Sequence, residues 1–451
     1  MKVLFIGTGY VGLNTGVALA YLGHQVTCLD VVPEKIAILK SGRSYMYEPH
    51  LDTMLPLAAH NMTFTTSYDE ADIPHTDVVF IAVGTPSLPD GSANLEYVAR
   101  AAQSIGCWLG EHFTVIVNKS TVPIGSGNWV SALVKTACEQ SNGGETRANF
   151  AVVSNPEFLR QGSALTESLY PDRIVIGTDN PQALKVLTDL YRLILEQDFE
   201  APECLPRKPG FTSVPLLTCD IASAEMIKYA ANAFLALKIS YINEIAHLAE
   251  KVGADISQIA RGIGMDERIG PKFLNPGIGW GGSCFGKDTA ALISTAHKYH
   301  LEMPIVQAAR EVNYQQRTWV VKQLQEELKM LEGRRIALLG FSFKPNTDDL
   351  RDAPSVDIAR LLIQNRALVR AHDPVALKNA RKQYPDLGVK YCDDVYEALA
   401  GADAIVLVTE WPEYRELDWS RLKPVPVVDG RNFLDAGMLK GLGFTVIGVG
   451  R

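Results

Sequence analysis

The chain opens on a short apolar, β-branched run, Lys2–Ile6, that stops at the glycines of "GTGYVG" and gives way to a longer apolar stretch, Leu13–Leu22. Short run, glycine turn and longer stretch predict strand, turn and helix. A second short run, "HQVTCLD", ends at Asp30 and predicts another strand. The same succession returns near the C-terminus. "RRIALLGFSFKP" (334–345) parallels the opening run, "ALVRAHDP" (367–374) parallels "HQVTCLDVVP", and "GADAIVLVTEW" (401–411) parallels "HTDVVFIAVGTP" (75–86). Three matches in one order predict a second domain wound like the first. Between them the pattern changes. Ile221 to Val252 holds no Gly or Pro, with Asp220 placed as a cap and Gly253 as a stop, so one helix of about 48 Å is expected at 1.5 Å per residue.

Along that helix Glu225, Lys228 and Asn232 fall on one face, within about 60° of arc. Apolar residues of "YAANAFLALKISYINEIAHLA" wrap most of the circumference. A largely buried helix is expected, one that joins two domains and offers a dimer surface, with a job for a lysine and an asparagine buried together. The fold class is thus α/β: two doubly wound Rossmann-like domains joined by a long central helix and helical domain, with limits at 1–212, 213–325 and 326–451.

Composition narrows the class. The chain has 451 residues, too many for one core. Its formal net charge is −8, with no Lys/Arg block, which argues against a nucleic-acid partner. Seven scattered cysteines without a CxxC pair read as reduced thiols in the cytoplasm. The apolar start lacks a cleavage-site flank, no run of 18 apolar residues is present, and neither a signal peptide nor a membrane partner is expected. The histidines, His24 and His50 among them, show no metal spacing, and no metal is assigned.

Candidate chemistry begins at the first turn. GxGxxG alone is weak; with a strand before it, a helix after it and an acidic strand end 23 residues after Gly7, it becomes the dinucleotide fingerprint. Gly7 makes the tight turn, Gly9 admits the pyrophosphate, and Gly12 lets the helix pack closely. Asp30 would accept from the ribose hydroxyls and repel a 2′-phosphate, so the expected cofactor is NAD. In the C-terminal copy Phe341, Phe343 and Lys344 replace the later glycines, a bulky cationic turn suited to a ligand that brings its own phosphates. Four more segments carry chemistry: "VGTP" (83–86), "NKSTVPIG" (118–125), which places Lys119, Ser120 and Thr121 at the sheet's carboxyl edge, "SNPEFLRQG" (154–162), and "FLNPGIGWGGSCFGKD" (273–288). A thiol among that many glycines, with a lysine and an aspartate just after it, reads as a nucleophile rather than packing.

Together and in this order, these segments resemble the UDP-glucose/GDP-mannose dehydrogenase family over essentially the whole chain. The resemblance implies two successive hydride transfers to NAD that oxidise a nucleotide-sugar primary alcohol to a carboxylate, by way of a thiohemiacetal and a thioester on Cys284. It implies a UDP-glucose substrate, an NAD-binding first domain, a central domain for catalysis and dimerisation, a UDP-sugar-binding third domain, and a homodimer or higher oligomer. Lys228 and Asn232 would stabilise oxyanions, Asp288 would order a water and cap the following helix, and Thr121 and Glu157 would manage that water, with Glu157 as general base. Cofactor contacts would come from Val11, Lys35, Thr85, Thr121, Gln161, Lys287 and Arg351, besides the fingerprint glycines and Asp30. Substrate contacts would come from Glu157, Phe158, Leu159, Arg160, Lys228, Asn232, Phe273, Leu274, Asn275, Pro276, Gly277, Gly281, Lys344 and Arg431, with the glycines fitting the backbone around sugar and nicotinamide.

Three positions depart from the usual family pattern: Gln161 for glutamate, Gly286 for proline, and Asn94 for aspartate. Within the family, the rival substrates are GDP-mannose and a UDP-N-acetylhexosamine. A hydroxyacid dehydrogenase would need no third domain. A non-catalytic nucleotide-sugar sensor should have lost Cys284, Lys228 or Asp288, and all three are present.

Overall fold

The computed structural model describes residues 1–143 and 149–451. They gather into two compact units, Met1–Ala230 with Ala290–Tyr299, and Ala231–Thr289 with His300–Arg451. The first holds a sheet of eight strands: β1 (Lys2–Ile6), β2 (Gln25–Leu29), β3 (Met62–Thr65), β4 (Val78–Ile81), β5 (Thr114–Asn118), β6 (Phe150–Ser154), β7 (Ile174–Gly177) and β8 (Leu216–Cys219). Their order is β3-β2-β1-β4-β5-β6-β7-β8. Pairing is parallel through β6, turns antiparallel at the single Ser154–Gly177 match, and is parallel again between β7 and β8.

The second unit holds β9 (Arg335–Leu339), β10 (Leu368–His372), β11 (Lys390–Tyr391), β12 (Ala404–Leu407), β13 (Pro426–Asp429) and β14 (Thr445–Gly448), ordered β11-β10-β9-β12-β13-β14 and parallel throughout. This order repeats that of the first six strands, so the sequence repeat is a repeat of winding. Alternation along each strand serves a sheet covered on both faces. Val3 and Phe5 join one buried cluster while Leu4 and Ile6 join another. Ile336 and Leu338 are divided from Ala337 and Leu339 in the same way.

The two opening turns differ more than the sequence suggests. After β1, helix Tyr10–Tyr21 starts at once, with Gly9 as its cap. After β9 the next helix, Pro354–Gln364, waits until residue 354, leaving a long loop that carries Lys344, Arg351 and Asp352. The third glycine of the fingerprint is therefore not missing from a helix here; that helix begins elsewhere.

The central helix runs over Ile221–Val252 as expected. Asp220 accepts from the Ser223 N–H at 2.8 Å and the Ser223 hydroxyl at 2.7 Å, and Gly253 follows in the left-handed region (φ 74°). Its burial is more one-sided than expected. Glu225, Lys228, Asn232, Ser240 and Asn243 are buried, whereas Phe234, Tyr241 and Leu248 are exposed at seven-residue spacing. A single chain covers only one side of it. No described helix is long and apolar enough to cross a membrane.

Candidate active site

At the first turn, Gly7 has φ of 100°, and a Cβ there would sit 2.7 Å from the Ala82 carbonyl oxygen. A side chain is thus refused by conformation and by space. Gly9 has nothing within 4 Å of where its Cβ would be, so the helix start is open to a ligand. Asp30 ends β2, accepting from the Thr8 N–H (3.0 Å), the Thr8 hydroxyl (2.7 Å) and Lys35 Nζ (3.3 Å) on Oδ2, and from the Val32 N–H (3.1 Å) on Oδ1. Burial pushes its carboxyl up, but the Thr8 bonds, Lys35 and the Val32 N–H outweigh this and hold it below the usual range. Oδ1, with one partner, keeps acceptor capacity for a ribose hydroxyl. An open helix N-terminus beside a fixed carboxylate fits a dinucleotide. Val11 lies in the first turn of that helix, Thr85 Oγ1 donates to Thr121 O at 2.9 Å, and Gln161 is half-buried in the loop after β6.

The ends of β5 and β6 build a polar cleft in the same unit. It is lined by Lys119, Asn155, Glu157, Phe158, Leu159, Arg160, Arg173 and Tyr191, among others. Lys228 Nζ meets Glu157 Oε1 at 2.8 Å, with both side chains nearly inaccessible, and lies 5.6 Å from the centre of the Phe158 ring. The Leu159 N–H donates to the other Glu157 oxygen at 2.6 Å. Burial raises the Glu157 pKa, but the Lys228 charge and hydrogen bond, the Leu159 N–H and the Lys119 charge together leave it below its usual value. Glu157 therefore stands ionised. Arg160, expected at the substrate, is bonded to Glu167, Nε to Oε1 at 2.5 Å. Glu225, on the same helix face as Lys228, accepts from the N–H groups of Gly125 (2.6 Å) and Gly127 (2.9 Å) and so anchors the "TVPIG" turn.

In the second unit Cys284 immediately precedes helix Phe285–Lys298, and its carbonyl takes the first helical bond, from the Asp288 N–H at 2.8 Å. The thiol thus stands at the positive end of the helix. This corrects one expectation: Asp288 lies in the first turn rather than capping it. Fully buried, it accepts from Asn232 Nδ2 at 2.6 Å on Oδ2 and pairs with Lys287 Nζ at 2.8 Å through Oδ1.

The glycines before Cys284 also read differently in space. A Cβ on Gly281 would come within 2.3 Å of the Asp352 carbonyl oxygen, and one on Gly282 (φ 87°) within 2.7 Å of the Phe343 ring. The Gly282 N–H donates to Arg351 O at 2.9 Å. These glycines let the thiol loop lie against the loop after β9, a packing need set by the protein's own chain. Arg351 is exposed and doubly bonded to Asp349, while Lys344 Nζ lies 5.7 Å from the centre of the Phe343 ring. Arg431 donates from Nη1 to Gly279 O (2.9 Å) and from Nε to Val408 O (2.8 Å), so part of its guanidinium holds the run-in to the thiol. Of that run-in, Phe273 is half-buried at φ 65°, Leu274, Pro276 and Gly277 are buried, and Asn275 is exposed.

Residues 1–195 match the NAD binding domain of the UDP-glucose/GDP-mannose dehydrogenase family, residues 222–315 its central domain, and residues 337–436 its UDP binding domain. The chain belongs to that family. It is 43% identical over 462 residues to the UDP-glucose 6-dehydrogenase of Rhizobium meliloti, covering all of both chains. It is 42% identical to UDP-glucose 6-dehydrogenase TuaD of Bacillus subtilis, over all of this chain and 93% of that one. Among solved structures, a UDP-glucose dehydrogenase from Pyrobaculum islandicum superposes with a TM-score of 0.86 at 40% identity, covering 96% of this chain and 94% of that one.

Sequence reading missed the residues that hold the loop before Cys284. Asn313 Oδ1 accepts from the Trp280 N–H at 2.7 Å and its Nδ2 donates to Trp280 O at 3.0 Å. One turn on, Arg317 donates to Trp280 O at 3.3 Å and to Asp352 Oδ1 at 2.7 Å. Asn243 accepts from the Gly277 N–H at 2.8 Å. The i, i+4 spacing of Asn313 and Arg317 was the one available signal, and it is common to any polar helix face.

Proposed function

We propose that the chain oxidises UDP-glucose to UDP-glucuronate with two equivalents of NAD, through a covalent intermediate on Cys284. All three family regions run through one chain that also keeps Cys284, Lys228, Asn232, Asp288 and Glu157. We assign NAD binding to 1–212, catalysis to 213–325 and UDP-sugar binding to 326–451. NAD, held by the open helix start and Asp30, supplies a hydride acceptor for both oxidations.

The residues divide the work. Lys228 and Asn232 meet the substrate oxygen and stabilise its negative charge. The Cys284 sulfur bonds to the aldehyde carbon while the aldehyde oxygen takes a proton; loss of a hydride and that proton then leaves a thioester. Water adds to the thioester carbon and gives its proton to Glu157, and the C–S bond breaks to return the thiolate. The helix N-terminus beside Cys284 favours that leaving group. Asp288 holds Asn232 and Lys287 in place, and Thr121 positions the water. Lys35, Thr85, Thr121, Gln161, Lys287 and Arg351 are read as cofactor contacts. The 158–160 and 273–277 segments, Gly281, Lys344 and Arg431 are read as substrate contacts.

The test has two arms. NADH formation with UDP-glucose should exceed that with GDP-mannose or a UDP-N-acetylhexosamine; a reversed order would move the substrate. Cys284→Ser should accumulate a sugar-nucleotide adduct on residue 284, because an oxygen ester hydrolyses more slowly than a thioester. Cys284→Ala should form no adduct and lose turnover by at least about a thousandfold. Acid production by Cys284→Ala at the normal rate would end the covalent mechanism.

The exposed Phe234, Tyr241 and Leu248 support a homodimer or higher oligomer formed along the central helix. Sedimentation as a monomer at micromolar concentration would refute it. Seven free cysteines favour a cytoplasmic setting.

A further inference from the structure

At the end of β5 the first unit buries a second lysine that these steps do not use. Lys119 is 8% exposed. Its Nζ donates to Asn155 Oδ1 at 2.9 Å and stands 5.9 Å from the centre of the Tyr191 ring. The Tyr191 hydroxyl donates to the same Asn155 oxygen at 2.7 Å, and Asn155 Nδ2 donates to Val175 O at 2.6 Å. Asn155 is thereby held through both its amide oxygen and its amide nitrogen, and it stands two residues before Glu157. Lys119, Asn155, Glu157 and Tyr191 line one cleft.

The charges in that cleft do not balance in the usual way. Glu157 already has an ion pair with Lys228 at 2.8 Å. Arg160 is engaged by Glu167, and Arg173 lies over the Phe158 ring at 3.8 Å. Asp172 lines the same cleft. Glu157 therefore has two buried ammonium groups in its surroundings: Lys228 of the central helix, in contact with it, and Lys119 just after β5, which lines the same cleft and whose charge helps to hold the Glu157 pKa down. Burying a second ammonium costs free energy, which hydrogen bonds and a nearby carboxylate offset.

We propose that Lys119 is a positioning residue for the hydrolysis step: it fixes the Asn155–Glu157 segment and keeps Glu157 ionised while Lys228 turns its ammonium to the oxygen of the reacting carbon. This rests on the reading of Glu157 as the base. During hydrolysis the water oxygen bonds to the thioester carbon, the water proton passes to Glu157, and the C–S electron pair leaves with Cys284. When Lys228 shares its ammonium between the developing oxyanion and the carboxylate, it holds the carboxylate less strongly. Without a second cation, a buried carboxylate released by Lys228 would take up a proton and cease to be a base. Lys119 prevents this. Its burial pushes its own pKa down to about 8, Glu157 pulling it up and Lys228 down, so it still carries its charge at neutral pH.

The test is the pH dependence of kcat for acid formation in the wild type, Lys119→Met, Lys119→Gln and Glu157→Gln. Removing a cation raises the Glu157 pKa, so the acid limb should move to higher pH by about one unit in both Lys119 variants. Lys119→Gln keeps a side chain able to donate to Asn155, so its shift cannot come from a lost hydrogen bond. It also serves if Lys119→Met does not fold. A merely structural lysine would lower the melting temperature and leave the limb in place. An acid limb that disappears with Glu157→Gln yet stays put in Lys119→Gln overturns the proposal alone. A limb that survives Glu157→Gln overturns the reading of Glu157 as base, and the proposal with it.

Discussion

At the end of β2, Asp30 takes the Thr8 N–H and hydroxyl on one oxygen and a single N–H on the other. At the matching end of β10, Asp373 takes the Phe341 N–H (2.7 Å), the Ser342 N–H (2.9 Å), the Ser342 hydroxyl (3.0 Å) and Trp411 Nε1 (3.1 Å) on Oδ2. Its Oδ1 takes the Val375 (2.9 Å) and Ala376 (2.8 Å) N–H groups. The two turns share more than the carboxylate. The Gly7 N–H donates to Leu29 O, and the Gly340 N–H to His372 O, each at 2.8 Å. One winding has thus produced two uses of one position. Asp30 retains capacity for a ligand, whereas Asp373 is spent on its own loop. The difference lies just after each strand: the Val375 and Ala376 N–H groups fill Oδ1 of Asp373, whereas Oδ1 of Asp30 takes the Val32 N–H.

The largest effect that would sharpen this contrast is structural. Asp373→Ala strands several buried donors and should cost about 4 kcal/mol, or roughly 10 °C of melting temperature. Calorimetry would read the loss, and any surviving enzyme should keep its cofactor preference. Asp30→Gly should act mainly on the cofactor. Melting should fall by less than in Asp373→Ala, since fewer donors lose their acceptor, while the preference for NAD over NADP narrows by about a hundredfold, ~2.8 kcal/mol. Because the Asp30 pKa is depressed, its like-charge barrier should persist below the usual carboxylate range and fade only as pH falls through that lowered value. Equal use of both cofactors by the unmodified enzyme would break the comparison.

Lys344→Ala should raise KM for UDP-glucose about tenfold, the cost of one charge-assisted phosphate contact, and leave KM for NAD alone. Equal changes in both constants would show that the C-terminal sheet is not the sugar-nucleotide side. The smallest expected effect is at Asn313. Asn313→Asp keeps the acceptor for the Trp280 N–H but sets a buried carboxyl against Trp280 O, so kcat should fall about threefold and melting by a few degrees. A larger rise in KM than fall in kcat would place Asn313 in binding rather than in holding the thiol loop.

Much of this was legible in advance because it is local. Short apolar runs bounded by turn residues mark the strands, and the distance from Gly7 to Asp30 marks the cofactor side. The limits of the central helix could be read because its cap and stop are adjacent residues with backbone roles. Burial of Lys228 and Asn232 on one helix face was also readable, from their spacing. Less was legible where contacts join distant segments. Asn313 and Arg317 look like an ordinary polar stripe until Trp280 is laid against them. Lys119 looked like an edge residue until β6 and Tyr191 closed over it.

The sequence by itself determined the winding of both sheets, the place of the thiol after a glycine run, and the acidic end of the second strand. Each of these depends on neighbours within one strand–turn–helix unit, where pattern and backbone conformation are coupled directly. Tertiary structure decided what the pattern left open. It showed that the glycines at 281 and 282 accommodate the protein's own loop, that Asp288 lies in a helix turn headed by Cys284, and that one side of the central helix stays uncovered in a single chain. Those outcomes depend on which remote backbone comes within 3 Å, and hydrophobic periodicity carries no record of that distance.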